Sequence, residues 1–242
     1  RDCLLSRGLG DVYKRQHGRI AIVHRTCYEI VSENGVFQCE LRGNMMYEKS
    51  AFELPCTGDW VIGQPFDETQ GIIVDVLPHE RILYRRKSGT VSDRQAIASY
   101  VDKAFIVQSL DDNFNIRRAE RFMVQILEEG IKPVLVLNKA DLGFDRQGIE
   151  EQVKHLGRRM PIFFTSIHDP LTILRLRESI PEGETVVFVG SSGVGKSSLV
   201  NALCGKPLLS TSHISSSTGK GRHTSTCLLY TSPSPRDKRQ SR

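Results

Sequence analysis

No apolar run in the sequence approaches the roughly 18 residues that cross a bilayer, and nothing reads as a signal peptide. No membrane partner is expected, and the chain is expected in the cytoplasm. The six cysteines (Cys3, Cys27, Cys39, Cys56, Cys204, Cys227) are scattered, without a CxxC pair. That argues against a disulfide framework or a zinc knuckle and fits a reducing compartment. Tryptophan occurs once, at position 60. The body of the chain also lacks an excess of either charge. Lys+Arg number 33 against 28 Asp+Glu, a formal +5, but residues 1–16 hold a net +2 and residues 227–242 a net +3. Net charge therefore contributes nothing to a nucleic-acid reading. With 39% hydrophobic and 25% charged residues, wholesale disorder is excluded, and 242 residues allow one large domain or two ordinary ones.

The two ends differ from the middle. Residues 1–16 have no clear period, and residues 227–242 (CLLYTSPSPRDKRQSR) are rich in Ser, Pro and basic side chains. Both resemble translated adapter sequence and are set aside as a non-native leader and tail, with genuine disordered tails the alternative.

From His17 to Arg85 the pattern is short strands with turn punctuation. The runs are Gly18–His24, Tyr28–Val31, Gly35–Leu41, Asp59–Ile62 and Gly71–Val76. Five strands in about 65 residues predict an OB-type barrel over 17–85. Such barrels often hold oligonucleotides on one face, where Tyr28, Phe37, Tyr47, Phe52 and Trp60 could stack. Phe37 and Trp60 sit in apolar runs and read as core. Arg81, Arg85, Arg86 and Lys87 form a basic cluster leading into a linker, 86–100, that is either solvated or a phosphate track.

Beyond residue 101 strands and helices alternate. Ala104–Gln108, Pro133–Leu137, Pro161–Thr165 and Thr185–Val189 read as strands. Arg117–Glu129, Ile149–Leu156, Leu171–Ile180 and Ser197–Leu203 read as helices. This pattern predicts a parallel sheet covered on both faces. After the last strand, Gly190-Ser191-Ser192-Gly193-Val194-Gly195-Lys196-Ser197-Ser198 contains GxxxxGK[ST] in its strand–loop–helix context. Glycines let the loop curl so that backbone N–H groups meet phosphate oxygens, and the helix N-terminus adds partial positive charge. Lys196 is expected on the β- and γ-phosphates and the Ser197 hydroxyl on Mg²⁺. Asn138-Lys139-Ala140-Asp141 stands at a strand end. The Asp141 carboxylate can accept from guanine N1–H and the exocyclic amine, a donor pair adenine lacks. Asn138 is expected to brace loops and the Lys139 stem to cover the base. Thr165-Ser166-Ile167 follows the next strand and is a plausible backbone contact for the base oxygen. The NKAD and TSI segments precede the phosphate loop, the order a circular permutation produces.

The barrel, NKAD, GSSGVGKSS and Gly219-Lys220-Gly221-Arg222-His223-Thr224-Ser225, in this order over about residues 17–226, resemble the ribosome small-subunit-dependent GTPase A family (RsgA/YjeQ). The segment VDKAFIVQSLDDNFNIRRAERF and the run SSLVNAL are similar to that family too. The resemblance implies an OB-type barrel followed by a circularly permuted α/β P-loop GTPase domain over 101–226. It further implies GTP hydrolysis to GDP and phosphate, with Mg²⁺, in late maturation of the 30S subunit, the barrel touching ribosomal RNA. A monomer is expected. By resemblance GKGRHTS is the switch segment, with Thr224 or Ser225 near Mg²⁺ and His223 positioning water; read alone, His223 is a solvated loop histidine.

The family continues to a DTPG strand and a zinc-holding Cys/His domain, neither of which lies within these residues, so no zinc ligands are assigned here. The sole DxxG, Asp145-Arg146-Gln147-Gly148, reads as a chance loop. The domain is therefore expected to be incomplete, weak in hydrolysis, and left with an exposed sheet edge. Two other readings stand beside this one. One is an RNA-binding barrel with a vestigial nucleotide domain; the other is a P-loop ATPase or kinase in which NKAD is incidental.

Overall fold

A computed structural model of the chain describes residues 15–24, 26–43, 53–86, 94–205, 207 and 227–230. It divides into two compact units, one up to Tyr100 and the other from Val101 onward.

The first unit is built on a closed barrel. Its strands are β1 (Gln16–Val23), β2 (Tyr28–Ser32), β3 (Gly35–Leu41), β4 (Trp60–Pro65) and β5 (Gln70–Val76). They close in the order β1-β2-β3-β5-β4, with β4 returning to β1. All pairs are antiparallel except β3 with β5. That is the closure of an OB-type barrel. Alternate residues point inward, as the two-residue period of a strand requires. Ile20, Ile30, Phe37, Cys39, Val61 and Ile73 fill the interior. Phe37 is core, as its apolar run predicts. Trp60 is not: it is 40% exposed, because it is the strand's first residue and its neighbour Val61 takes the inward register.

Two further strands, β6 (Leu83–Arg86) and β7 (Arg94–Ala98), form an antiparallel hairpin. The segment expected as a linker, 86–100, thus carries a paired strand. Its alternation was masked in the sequence by the polar stretch between the two strands.

The second unit is a five-stranded sheet in the order β10-β9-β8-β11-β12. β8 (Lys103–Ser109), β9 (Lys132–Asn138), β10 (Ile162–Thr165) and β11 (Thr185–Val189) run parallel. β9 and β11 are buried along nearly their whole length, the signature of strands covered on both faces. Among the described residues four α-helices connect or follow them: α1 (Ile116–Glu128), α2 (Arg146–Val153), α3 (Pro170–Glu178) and α4 (Lys196–Cys204). α1 buries Ala119, Met123 and Ile126 on one stripe and is capped by the Asn115 side chain. One face of the sheet packs Phe105, Val107, Val136 and Phe188 against Leu176 of α3 and Leu199 of α4. The Phe105 and Phe188 rings stack at 5.0 Å.

Two expectations are corrected here. Asp145–Gly148 is no loop: Asp145 caps α2, its carboxylate accepting the Gly148 N–H at 3.1 Å. The DxxG spacing matches that of a helix cap, in which a side-chain oxygen meets the N–H three residues on. The flank of β11 is also not left open. β12 (Cys227–Tyr230) pairs with it antiparallel, Phe188 opposite Cys227 and Thr185 opposite Tyr230. An apolar CLLY run satisfies the unpaired N–H and C=O groups that a sheet edge presents.

Candidate functional site

Parallel strands deliver their C-terminal ends to one edge of the sheet, so the loops after β8, β9, β10 and β11 converge there. The phosphate-binding candidate follows β11. Gly190 has φ 152°, and a Cβ on it would stand 2.4 Å from the Val107 carbonyl oxygen of the adjoining strand. Gly195 has φ 93° and is the N-cap of α4, with no side chain capping it. The first-turn N–H groups of a helix have no intrahelical partners. With a glycine cap they face outward as donors for an anion. Lys196 is buried, and its Nζ donates to the carbonyls of Gly190 (3.0 Å) and Ser191 (2.6 Å). Ser192 and Gly193 at the loop crest are exposed, while Val194 is buried beneath it. Ser197 and Ser198 sit half-buried in the first turn.

The NKAD segment ends β9. Asn138 is buried; its Nδ2 donates to the Val194 carbonyl at 2.9 Å, and its Oδ1 accepts the Thr165 hydroxyl at 3.2 Å. A Cβ on Gly195 would stand 2.4 Å from the same Nδ2. One side chain therefore ties the loop after β9 to the loops after β10 and β11, the bracing role expected of it. Lys139 takes a left-handed conformation (φ 63°), a strained one for a side chain with a Cβ. Its Nζ pairs with Asp111 Oδ2 at 2.8 Å. The Ala140 N–H donates to the Thr165 carbonyl at 3.0 Å. Asp141 is exposed and receives the Ser166 hydroxyl at 2.5 Å. That hydrogen bond chiefly holds its carboxyl below the usual carboxylate range. Ile167, next in sequence to Ser166, is exposed.

Three residues were not singled out as site residues in the sequence. Arg118, at the start of α1, donates from Nη1 to the Ser191 hydroxyl at 2.6 Å and to Asn113 Oδ1 at 3.1 Å. The Asn113 amide reaches the Ser192 carbonyl at 3.5 Å. Asp111 accepts from Ser109 and from Asn113 N–H as well as from Lys139. Partial burial works against its ionisation, but these donors outweigh it and its carboxyl lies below the usual range. The usable signal was positional: a polar SLDDN run directly follows a buried parallel strand.

His223 and Thr224, with Ser225, lie outside the described residues. A groove of about 550 Å³ lined by Gln147, Glu150, Lys154, Ile162 and Phe164 shares no residue with either loop.

The model of the RsgA GTPase family matches residues 76–233. The chain belongs to the RsgA GTPase family. It is 74% identical over 210 residues to "Small ribosomal subunit biogenesis GTPase RsgA 1" of Bacteroides thetaiotaomicron, covering 87% of this chain and 59% of that protein. It is 36% identical over 212 residues to the RsgA 2 of Lactiplantibacillus plantarum, again over 59% of that protein. The chain thus spans about 59% of the length of these curated relatives of the RsgA family. Among solved structures, YjeQ from Thermotoga maritima matches with a TM-score of 0.61 and 26% identity, over 78% of this chain and 65% of that one. YloQ, described as a circularly permuted GTPase, shares the fold with a TM-score of 0.58 and 23% identity, over 78% and 64%.

Proposed function

We propose that this chain binds guanine nucleotide with Mg²⁺, hydrolyses GTP weakly, and uses its nucleotide state to control attachment to the small ribosomal subunit. The names of its relatives, small ribosomal subunit biogenesis GTPases, support this reading. The observation that carries it is the Asn138 brace. Because the side chain joins the NKAD, TSI and phosphate loops through Thr165 and Val194, base recognition and phosphate recognition share one rigid edge.

The roles follow from chemistry. Backbone N–H groups from Gly193 to Ser197 take phosphate oxygens, and Lys196 exchanges its carbonyl partners for the β- and γ-phosphates. Asp141, ionised and aligned by Ser166, accepts the two guanine donors, and Lys139, held by Asp111, lays its stem along the base. Donors suit the phosphates, and a hydroxyl in the first helical turn suits Mg²⁺, so Ser197 would hold the ion, with Thr224 a second candidate by resemblance; the ion would supply neutralisation of phosphate charge. His223 is proposed to position the attacking water. The protein is proposed to act as a cytoplasmic monomer, its barrel touching ribosomal RNA. The surface feature that favours RNA contact is Trp60, exposed with the Arg19 guanidinium 5.6 Å from its ring centroid, an aromatic and a cation together.

Competition between GDP and ADP for a fluorescent guanine nucleotide tests the reading. GDP is expected to displace it at concentrations at least about a hundredfold lower, since a carboxylate built for two donors rejects a base lacking them. Equal displacement by ADP would refute it. Asp141→Asn is expected to shift preference toward xanthine nucleotides, and unchanged guanine selectivity would remove Asp141 from the role.

A further inference from the structure

The barrel unit holds a group of side chains that the nucleotide chemistry does not use. Cys56 and Asp59 flank the turn entering β4, and His79 lies in the segment between β5 and β6. A ligand atom from each lies within 4.8 Å of the others. Cys56 and Asp59 are buried, the latter with no exposure, and the His79 side chain is 18% exposed. We propose that Cys56 Sγ, Asp59 Oδ1 and His79 Nδ1 form a binding site for a divalent transition metal of borderline softness, zinc foremost.

The carboxylate is already oriented. Asp59 Oδ2 accepts the Cys56 backbone N–H at 2.7 Å, which turns Oδ1 toward His79. Oδ1 stands 3.1 Å from Nδ1 without the alignment of a hydrogen bond, and among the described residues it has no hydrogen-bond partner. Around a tetrahedral ion at ordinary bond lengths, ligand atoms are about 3.3–3.6 Å apart. The Asp–His pair therefore needs only a small opening. Ser99, fully buried and in contact with the Cys56 thiol, can fill a fourth position, or water can enter beside His79.

The donor set selects the metal. One sulfur, one imidazole nitrogen and one carboxylate oxygen suit zinc or cobalt, and a single carboxylate oxygen is too few for calcium or magnesium. The charge also balances. On binding, the S–H proton leaves to solvent, the thiolate pair forms the metal–sulfur bond, and His79 binds as neutral imidazole. Thiolate and carboxylate together offset the dication, so no net charge is buried. The ion would clip the turn before β4 to the segment after β5, independently of nucleotide.

The test is a Co²⁺ titration of the metal-free 242-residue chain, read by thiolate-to-metal charge-transfer absorption. One equivalent is expected to bind and to be displaced by Zn²⁺. Zn²⁺ alone is expected to raise the melting temperature of the barrel. Cys56→Ser is expected to abolish the absorption, His79→Gln to weaken binding at least tenfold, and Cys27→Ser to leave both unchanged. Absence of the band in the unaltered chain would show that Asp59 and His79 are an ordinary buried ion pair. A band that survives Cys56→Ser would assign the metal to other cysteines. Either result overturns the proposal, whether or not the variants fold as well as the parent.

Discussion

The two units place chemistry in different ways. In the α/β unit the residues that matter are contiguous in sequence: NKAD, TSI and GSSGVGKSS each occupy one loop at the end of one strand. In the barrel they are dispersed. Arg19 meets Trp60 across two paired strands, and Cys56 and Asp59, just before β4, meet His79, beyond the end of β5; no motif spacing links them. The difference lies in how each sheet brings residues together. A parallel sheet gathers loop ends at one edge, so a short segment can serve as a complete recognition element. A closed barrel brings together single positions from strands distant in sequence, and register decides which side chains meet.

If the contrast holds, disturbing one glycine in the α/β unit disrupts more than removing a large aromatic from the barrel. Gly195→Val is expected to have the largest effect, abolishing measurable GDP binding. Its φ of 93° adds about 1–3 kcal/mol of strain, and the new Cβ collides with Asn138. Calorimetry that found native affinity would break the comparison at its strongest point. Asn138→Ala comes next. It strands the buried Thr165 hydroxyl and Val194 carbonyl, at about 1–3 kcal/mol. A lower melting temperature for the α/β unit and roughly tenfold weaker GDP binding are expected, with guanine selectivity retained.

Trp60→Ala should change stability by less than about 1 kcal/mol, as for an exposed site. It should weaken RNA binding by about 1–3 kcal/mol if one base stacks there; filter binding at two salt concentrations measures both parts. The smallest effect concerns acid. The Asp111 carboxyl lies below its ordinary range in the folded chain. Its contribution is therefore present above the ordinary carboxylate pKa and lost as pH falls through the depressed value. The stability difference between parent and Asp111→Asn should shrink as melts move from pH 7 toward pH 3. A constant difference would detach Asp111 from Lys139.

Much of the α/β unit was legible because its signals are local. Buried strands announce themselves as Val/Ile/Phe runs, and the glycines of the phosphate loop stand where the backbone turns to positive φ. What escaped was set by partners remote in sequence. Arg118 reads as one of several charges on an amphipathic helix until Ser191, 73 residues on, stands beneath it. Trp60 reads as core because its neighbours are apolar, yet register turns it outward. Asp145 and Gly148 show the converse, a pattern shared by a nucleotide motif and a helix cap that only the following helix distinguishes.

The strand order has a consequence for synthesis. β8, β9 and β10 are neighbours in the sheet as well as successive in the chain, and β11 adds outside β8. A ribosome making this chain from its N-terminus translates the first three of these strands, with Asn138 and Thr165, before Val189. Domains fold as units as they emerge. The phosphate loop is therefore the last of the three recognition loops to be made, and the strands and loops it joins are already in the chain when the unit folds. In an unpermuted order the loop would come first.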